Sequence, residues 1–214
     1  MPNGEDWLQD PLRGIDNKFR ELKSLSDEQN DLWQSFHFST RLKLDGADHF
    51  CRQVLGAASR PFDLGLPLLA DRQLRWYLDA FFFELMSAYD TLLQELNIVC
   101  DLGLKSKDVR WDTLKGKLPE KLGKYMEEER EEEWFEKVRK YRNMATHHSY
   151  LWTGRWKVTW GDKPWDYSEH GVSMFYLDDA GTLKHEEISA CINHLKNMVK
   201  HIQQVWKEMA QEFD

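Results

Sequence analysis

Within nine residues the chain places Arg139, Arg142, Asn143, Thr146 and His147. On a helix turning 100° per residue these five share about 140° of arc, while Trp134, Val138, Tyr141 and Ala145 take the other side. The face offers a permanent cation, a ring that titrates near neutral pH and a neutral amide. Asn143 and His147 stand one turn apart, so the amide can orient the imidazole. Arg142 lies on an adjoining flank and is long enough to reach a phosphate held beside His147. Such a set suits proton transfer next to a phosphate whose developing charge is met by a fixed guanidinium. The same residues also read as a solvated helix face salt-bridged to nearby glutamates, and residue type alone leaves both readings open.

Other groups are weaker candidates. Glu84 and Asp90 read either as buried partners that fix Arg142 or as part of an exposed polar stripe. His148 borders the apolar side and reads as a packed or capping residue more readily than as a second base. His194 and His201 are two turns apart, about 10–11 Å, too far to ligate one metal directly. No metal site is expected, since no His, Cys, Asp or Glu constellation has ligand spacing. Cys51, Cys100 and Cys191 are odd in number and far apart, and read as reduced core thiols. The chain has no glycine-rich phosphate loop and no Ser or Cys nucleophile motif, which removes kinase, dehydrogenase and hydrolase readings.

The elements that must position these residues are mostly helical. Residues 1–25 read as a loosely attached arm. Ser26 and Gln29 have capping-box spacing, opening a long or broken helix to about Ala58 through Leu32, Phe36, Leu42, Phe50, Val54 and Leu55. Ser59–Pro61 and Pro67 mark a loop. From Leu68 to Val99, apolar residues recur at spacings of three and four over most of the circumference, as in the central helix of a bundle. Glu84, Ser87, Thr91 and Glu95 form its polar stripe. A short helix and turns are expected over Leu104–Lys124, then one helix from Met126 to Tyr150 that begins acidic (Glu127–Glu133) and turns basic (Lys137, Arg139, Lys140, Arg142), as the helix dipole favours.

Periodicity then shifts to two. Arg155–Trp160 and Val172–Leu177 read as strands and Asp178–Gly181 as a turn, so 152–184 is expected to be a β-hairpin insertion. Its tryptophans (Trp152, Trp156, Trp160, Trp165) read as hairpin core or interface, and less readily as base-stacking platforms. A last helix, Glu186–Met209, carries the stripe Ile188, Ile192, Leu195, Val199, Ile202, Trp206 and Met209. The fold class expected is mainly α, one helical domain over 26–214 with the hairpin before its C-terminal helix.

Composition narrows the function classes. The 214 residues carry 29 Lys and Arg against 37 Asp and Glu, a net charge of −8, which disfavours binding to nucleic acid by bulk attraction but leaves room for a local basic site. No apolar run approaches eighteen residues, and MPNGEDWLQDPLRG has neither a basic nor an apolar leader region. A soluble, cytoplasmic protein without a membrane partner is the expectation.

The stretch Tyr141-Arg142-Asn143-Met144-Ala145-Thr146-His147 resembles the signature of the HEPN superfamily, in which Arg is followed by a polar residue and, after a gap of four to six, by His; here the gap is four. The segment Trp76–Asp90 is similar to the central helix of a small bacterial branch of that superfamily. The resemblance covers roughly 68–150 and 186–212. It implies a HEPN-like bundle acting as a homodimer, with the Arg and His residues of two protomers meeting in one cleft. It also implies a metal-independent endoribonuclease that needs no cofactor. Arg142 would neutralise the scissile phosphate, His147 would transfer protons as the RNA 2′-hydroxyl attacks to leave a 2′,3′-cyclic phosphate, and Asn143 would position. Arg139, Thr146, His148, Glu84 and Asp90 would support them. The superfamily's settings include toxin–antitoxin pairs, which makes an antitoxin protein a conceivable partner and the Glu127–Glu133 run a docking surface for a basic one. The alternatives are a non-catalytic HEPN module that binds nucleotide or protein, and a helical scaffold using the Trp-rich hairpin as an interface.

Overall fold

The computed structural model describes residues 18–19, 25–59, 67–147, 152–159, 168–178 and 180–212. Helix α1 spans Asp27–Ala58, α2 Pro67–Val99, α3 Trp111–Leu114, α4 Glu120–Glu131, α5 Glu133–His147 and α6 Ala190–Glu212, with a 3₁₀ turn at Ser106–Asp108. Strands β1 (Trp152–Thr159), β2 (Ser168–Leu177) and β3 (Leu183–Glu187) lie between α5 and α6. Most of the expected 1–25 arm, the 60–66 loop, Trp160 and Trp165 fall outside the described residues, though Phe19 is buried and packs edge-on to Trp33, ring centroids 5.4 Å apart.

The capping box at Ser26 forms as its spacing predicts: the Gln29 N–H donates to Ser26 Oγ (3.2 Å), and Ser26 N–H donates to Gln29 Oε1 (3.1 Å). From there α1 runs unbroken. Its buried row is Trp33, His37, Thr40, Leu44, Ala47, Cys51 and Val54, a spacing of 4-3-4-3-4-3. Leu32 and Leu42, expected to be apolar contacts, are 48% and 56% exposed. Two polar residues occupy the true core row because α2 offers them partners.

Helix α2 is central, touching α1, α3, α5, α6 and β1. Its polar stripe is the seam against α1. The Thr40 hydroxyl donates to Glu95 and lies 3.0 Å from Thr91 Oγ1, Glu95 also binds His37 Nδ1 at 2.9 Å, and Lys43 pairs with Glu84 at 2.9 Å. Buried polar groups demand such partners, since an unpaired one costs about 1–3 kcal/mol. Gly46 allows the approach: a Cβ there would stand 3.3 Å from the Glu84 side chain. The outward row of α2 instead carries Trp76, 62% exposed, and Phe83, 46% exposed.

The helix expected over Met126–Tyr150 is two helices. Glu132 takes an extended conformation (φ −62°, ψ 138°) and ends α4. The phase explains the break. Met126 and Phe135, nine residues apart, would stand about 180° from one another on a continuous helix, yet both are fully buried. Restarting the helix at Glu133 turns Phe135, Val138 and Tyr141 inward, and the glutamate run keeps the joint in water.

The insertion is the expected hairpin with a third strand added, antiparallel throughout in the order β1-β2-β3. Trp152 pairs with Phe175 and Thr159 with Ser168; Ser173 pairs with Glu187 and Leu177 with Leu183. The Asp178–Gly181 turn forms, with Asp178 Oδ1 accepting from Ala180 and Thr182 N–H groups and Gly181 at φ +76°. Val172 and Met174 are buried, the latter with its Sδ 3.9 Å from Cys191 Sγ on α6. The predicted stripe of α6 is buried on the bundle from Leu195 to Met209.

Candidate functional site

Helix α5 presents two chemically different faces, and its inward one is bolted down. Tyr141 is fully buried, stacks on Phe82 of α2 at 4.7 Å between ring centroids and meets Tyr176 of β2 edge-on. Its hydroxyl donates to Glu186 Oε2 on β3 (3.2 Å). The same carboxylate oxygen lies 2.9 Å from His194 Nε2 on α6, while Glu186 Oε1 accepts from Lys137 Nζ at 3.2 Å. Burial alone would raise the Glu186 carboxyl; His194 and Lys137 outweigh it and hold the carboxyl below the ordinary glutamate range. Burial, then the neighbouring Glu186, pushes the Tyr141 hydroxyl far up, so it serves only as a donor. One carboxylate thus ties α5, β3 and α6 together and fixes the rotation of the helix at the residue before Arg142.

Rotation fixed in this way points the other side outward. Arg139, Asn143 and Thr146 are exposed and Arg142 is half-buried. Arg142 Nη1 donates to Asn143 Oδ1 (3.3 Å), and the Thr146 hydroxyl caps the Arg142 carbonyl at 2.9 Å. His147 is the last residue of α5; its side chain, and the whole of His148, lie outside the described residues.

Across from this face stands Asp90 on α2. Burial of its surroundings raises its carboxyl above the usual aspartate range, and the Arg142 and then the Arg130 guanidinium pull it back. Tyr89 beside it is pushed up to about 12 by burial, with Arg130 and, more weakly, Arg139 acting against the shift. The structure therefore brings Arg139, Arg142, Asn143, Thr146 and Asp90 to one side of the bundle. Glu84 is not among them. It stands six residues from Asp90, about 240° round the helix, and its ion partner is Lys43 of α1.

Two residues that sequence reasoning passed over belong to this side. Arg130, hidden inside the glutamate run, donates to Tyr89 Oη from the end of α4, and its charge acts on the Asp90 carboxyl. Asp79 lies on the row of α2 (79, 82, 86, 90) that faces α5, is half-buried, and leaves its Oδ1 without a hydrogen-bond partner among the described residues. Burial pushes its carboxyl up to about 6 against the opposing charge of Arg75. Neither residue has a sequence signal of its own. Among the described residues no three His, Cys, Asp or Glu side chains are arranged to hold a metal ion, and no helix is long and apolar enough to cross a membrane.

A long central helix flanked by α1, α5 and α6, with a polar Arg-Asn face late on α5, defines a HEPN-type bundle. Residues 68–214 match the family described as HEPN_Cthe2314-like HEPN, and the chain belongs to that family. Searches of curated proteins and of solved structures gave no match. Helix α1, which covers the polar seam of α2, lies outside the matched segment.

Proposed function

We propose that the protein is a metal-independent endoribonuclease acting as a homodimer. The observation that carries the reading is Arg142. It is a half-buried guanidinium whose one side-chain hydrogen bond among the described residues is the 3.3 Å contact with Asn143, held on a helix whose other face is locked, one turn and a residue before His147. A guanidinium so placed can meet a phosphate in bidentate geometry, and it gains most where negative charge develops during in-line attack. In this reading His147 moves the proton of the attacking 2′-hydroxyl or of the leaving 5′-oxygen, Asn143 holds Arg142 in direction, and Arg139, Thr146, His148 and Asp90 support the phosphate pocket. Trp76 and Phe83, two turns apart on the outward row of α2, supply the apolar stripe on which a second copy docks, setting two such faces against each other.

The experiment is cleavage of an end-labelled RNA in excess EDTA by wild type, Arg142→Ala and His147→Ala. Cleavage by wild type alone, leaving 2′,3′-cyclic phosphate ends, is expected, with a loss of about 100-fold or more in each variant. Cleavage by all three overturns the assignment. If RNA is bound and never cut, the same cations serve a non-catalytic nucleotide-binding module.

A further inference from the structure

The connection between α2 and α4 concentrates positive charge that the rest of the chain lacks. Residues 104–117 hold five Lys and Arg against two Asp, in a chain whose net charge is −8. Lys105, Lys107, Arg110 and Lys117 are exposed, and among the described residues none of them forms an ion pair. The backbone beneath them is fixed. The Asn97 side chain holds Leu104 through both its N–H and its carbonyl, at 3.0 Å each, and Gln94 Nε2 donates to the Ser106 carbonyl at 2.9 Å. Arg110 N–H donates to Thr113 Oγ1 at 3.0 Å. Trp111 and Leu114 are buried, and the Arg130 guanidinium lies 5.1 Å from Trp111 and 5.5 Å from Tyr89 of α2, joining α3 to the bundle. Unpaired exposed cations add little to a fold, and here they are presented on a rigid base.

The chemistry of the surface is charge alone. Among the described residues no large apolar side chain is exposed on this segment, so it offers neither an anchor for a bilayer nor the apolar centre of a protein interface. Its position selects the polyanion. Round α2, α1 packs at Thr91 and Glu95, α6 at Tyr89 and α5 at Phe82. The row Phe83, Asp90 and Gln94, spaced by seven and four, faces the gap left between α5 and α1. Gln94 thus anchors the basic turn at one end of that gap. Helix α5 runs antiparallel to α2, since Tyr89 meets Phe135 at 4.9 Å and Phe82 meets Tyr141 at 4.7 Å. Arg139 and Arg142 stand about 140–160° round α5 from Lys137, which faces Glu186 on the sheet, and so take the flank toward the same gap. From Phe82, at the level of Arg142, to Gln94 is about 18 Å along the axis.

We infer that Lys105, Lys107 and Arg110 form a docking surface for the backbone of single-stranded RNA, from which the strand crosses the gap to Arg142. A stacked strand rises about 3.4 Å per phosphate, so about five phosphates span the distance. The inference rests on the ribonuclease reading for the identity of the polyanion, and binding tests it separately.

The test uses the intact protein and a fluorescent twelve-nucleotide 2′-O-methyl RNA, which has no free 2′-hydroxyl to attack its phosphates. A trinucleotide of the same chemistry is too short to reach from the turn to Arg142. Wild type should bind the long probe about 10-fold or more tightly than the short one. The triple variant Lys105→Gln, Lys107→Gln, Arg110→Gln should keep its melting temperature and lose most of that gain, with the slope of log affinity against log salt smaller by about 2. The triple variant Lys184→Gln, Lys200→Gln, Lys207→Gln makes the same charge change elsewhere and should bind both probes as wild type does. An equal loss in the two variants reduces the effect to net charge and overturns the surface. Undiminished long-probe binding without Lys105, Lys107 and Arg110 overturns it, as does equal affinity of wild type for the two probes. Displacement of the long probe by polyglutamate as readily as by unlabelled RNA of equal charge assigns the surface to an acidic protein instead. A length gain that depends on the three cations, with no cleavage of unmodified RNA by wild type, upholds the surface and removes the catalytic reading.

Discussion

The two faces of α5 treat charge in opposite ways. Inward, Lys137, Tyr141 and His194 converge on Glu186, so that one carboxylate receives three donors, and Lys137 also pairs with the exposed Glu133. Outward, Arg139 and Arg142 carry full charge with no carboxylate in ion-pair contact among the described residues. In a chain with 37 acidic residues, pairing was available to both. A satisfied buried network specifies one packing, because every member is lost if the helix rotates. An unsatisfied exposed cation adds little to the fold and remains available to a ligand. Packing sits on one side of the helix and charge not committed to it on the other.

The sharpest way to break this contrast is Glu186→Ala. Removing the shared acceptor strands a buried histidine and phenol, leaves the half-buried Lys137 only its ion pair with Glu133, and should cost about 3 kcal/mol, or roughly 6–12 °C in melting temperature. A loss no larger than that of the exposed Glu187→Ala would mean that the inward face is not a lock. Acidity probes the same group. Because the folded-state value of Glu186 is lowered, its stabilisation is complete above the ordinary glutamate range and disappears as pH falls through the folded value. The stability gap between wild type and Glu186→Gln should therefore narrow as pH falls below the ordinary glutamate range. A gap that is constant from pH 7 to pH 3 contradicts the pairing.

Asp79 gives a smaller effect of opposite sign. Its folded-state value is raised to about 6, so the stability linked to it is present below the unfolded aspartate value and lost as pH rises through 6. Asp79→Asn should raise the melting temperature at pH 7.5 by about 2–4 °C and leave it unchanged near pH 4. A drop at pH 7.5 would show that the ionised carboxylate is structurally required. The smallest expected effect is on the outward face: Arg139→Ala and Arg142→Ala should each change stability by less than about 0.5 kcal/mol in denaturant unfolding. A larger cost would reveal a hidden partner.

Local chemistry made part of this readable from the residues. The Ser26–Gln29 cap, the central apolar helix, the Asp178–Gly181 turn and the outward Arg-Asn face follow from spacings of two to four residues. Two kinds of feature did not. Where polar residues lie in a core row, as His37, Thr40 and Glu95 do, hydropathy misjudges the phase, because their burial depends on a partner from another helix. And where a break serves tertiary phase, as at Glu132, a charge run that suits a helix start conceals it. Strand β3 is mostly exposed and has no alternation to read; Glu186 acquires its meaning only when β3 is laid beside α5. Arg130 was obscured by its neighbours, since a cation among glutamates looks neutralised until its rings are seen.

The central claim is that Arg142 works on a ligand and not on the fold. Cleavage of a single RNA by Arg142→Ala, measured in EDTA beside its melting curve at the same protein concentration, tests it most directly. The account predicts cleavage down by about 100-fold or more with the melting temperature within about 2 °C of wild type. Undiminished cleavage, or a loss that merely follows a lower melting temperature, would contradict it.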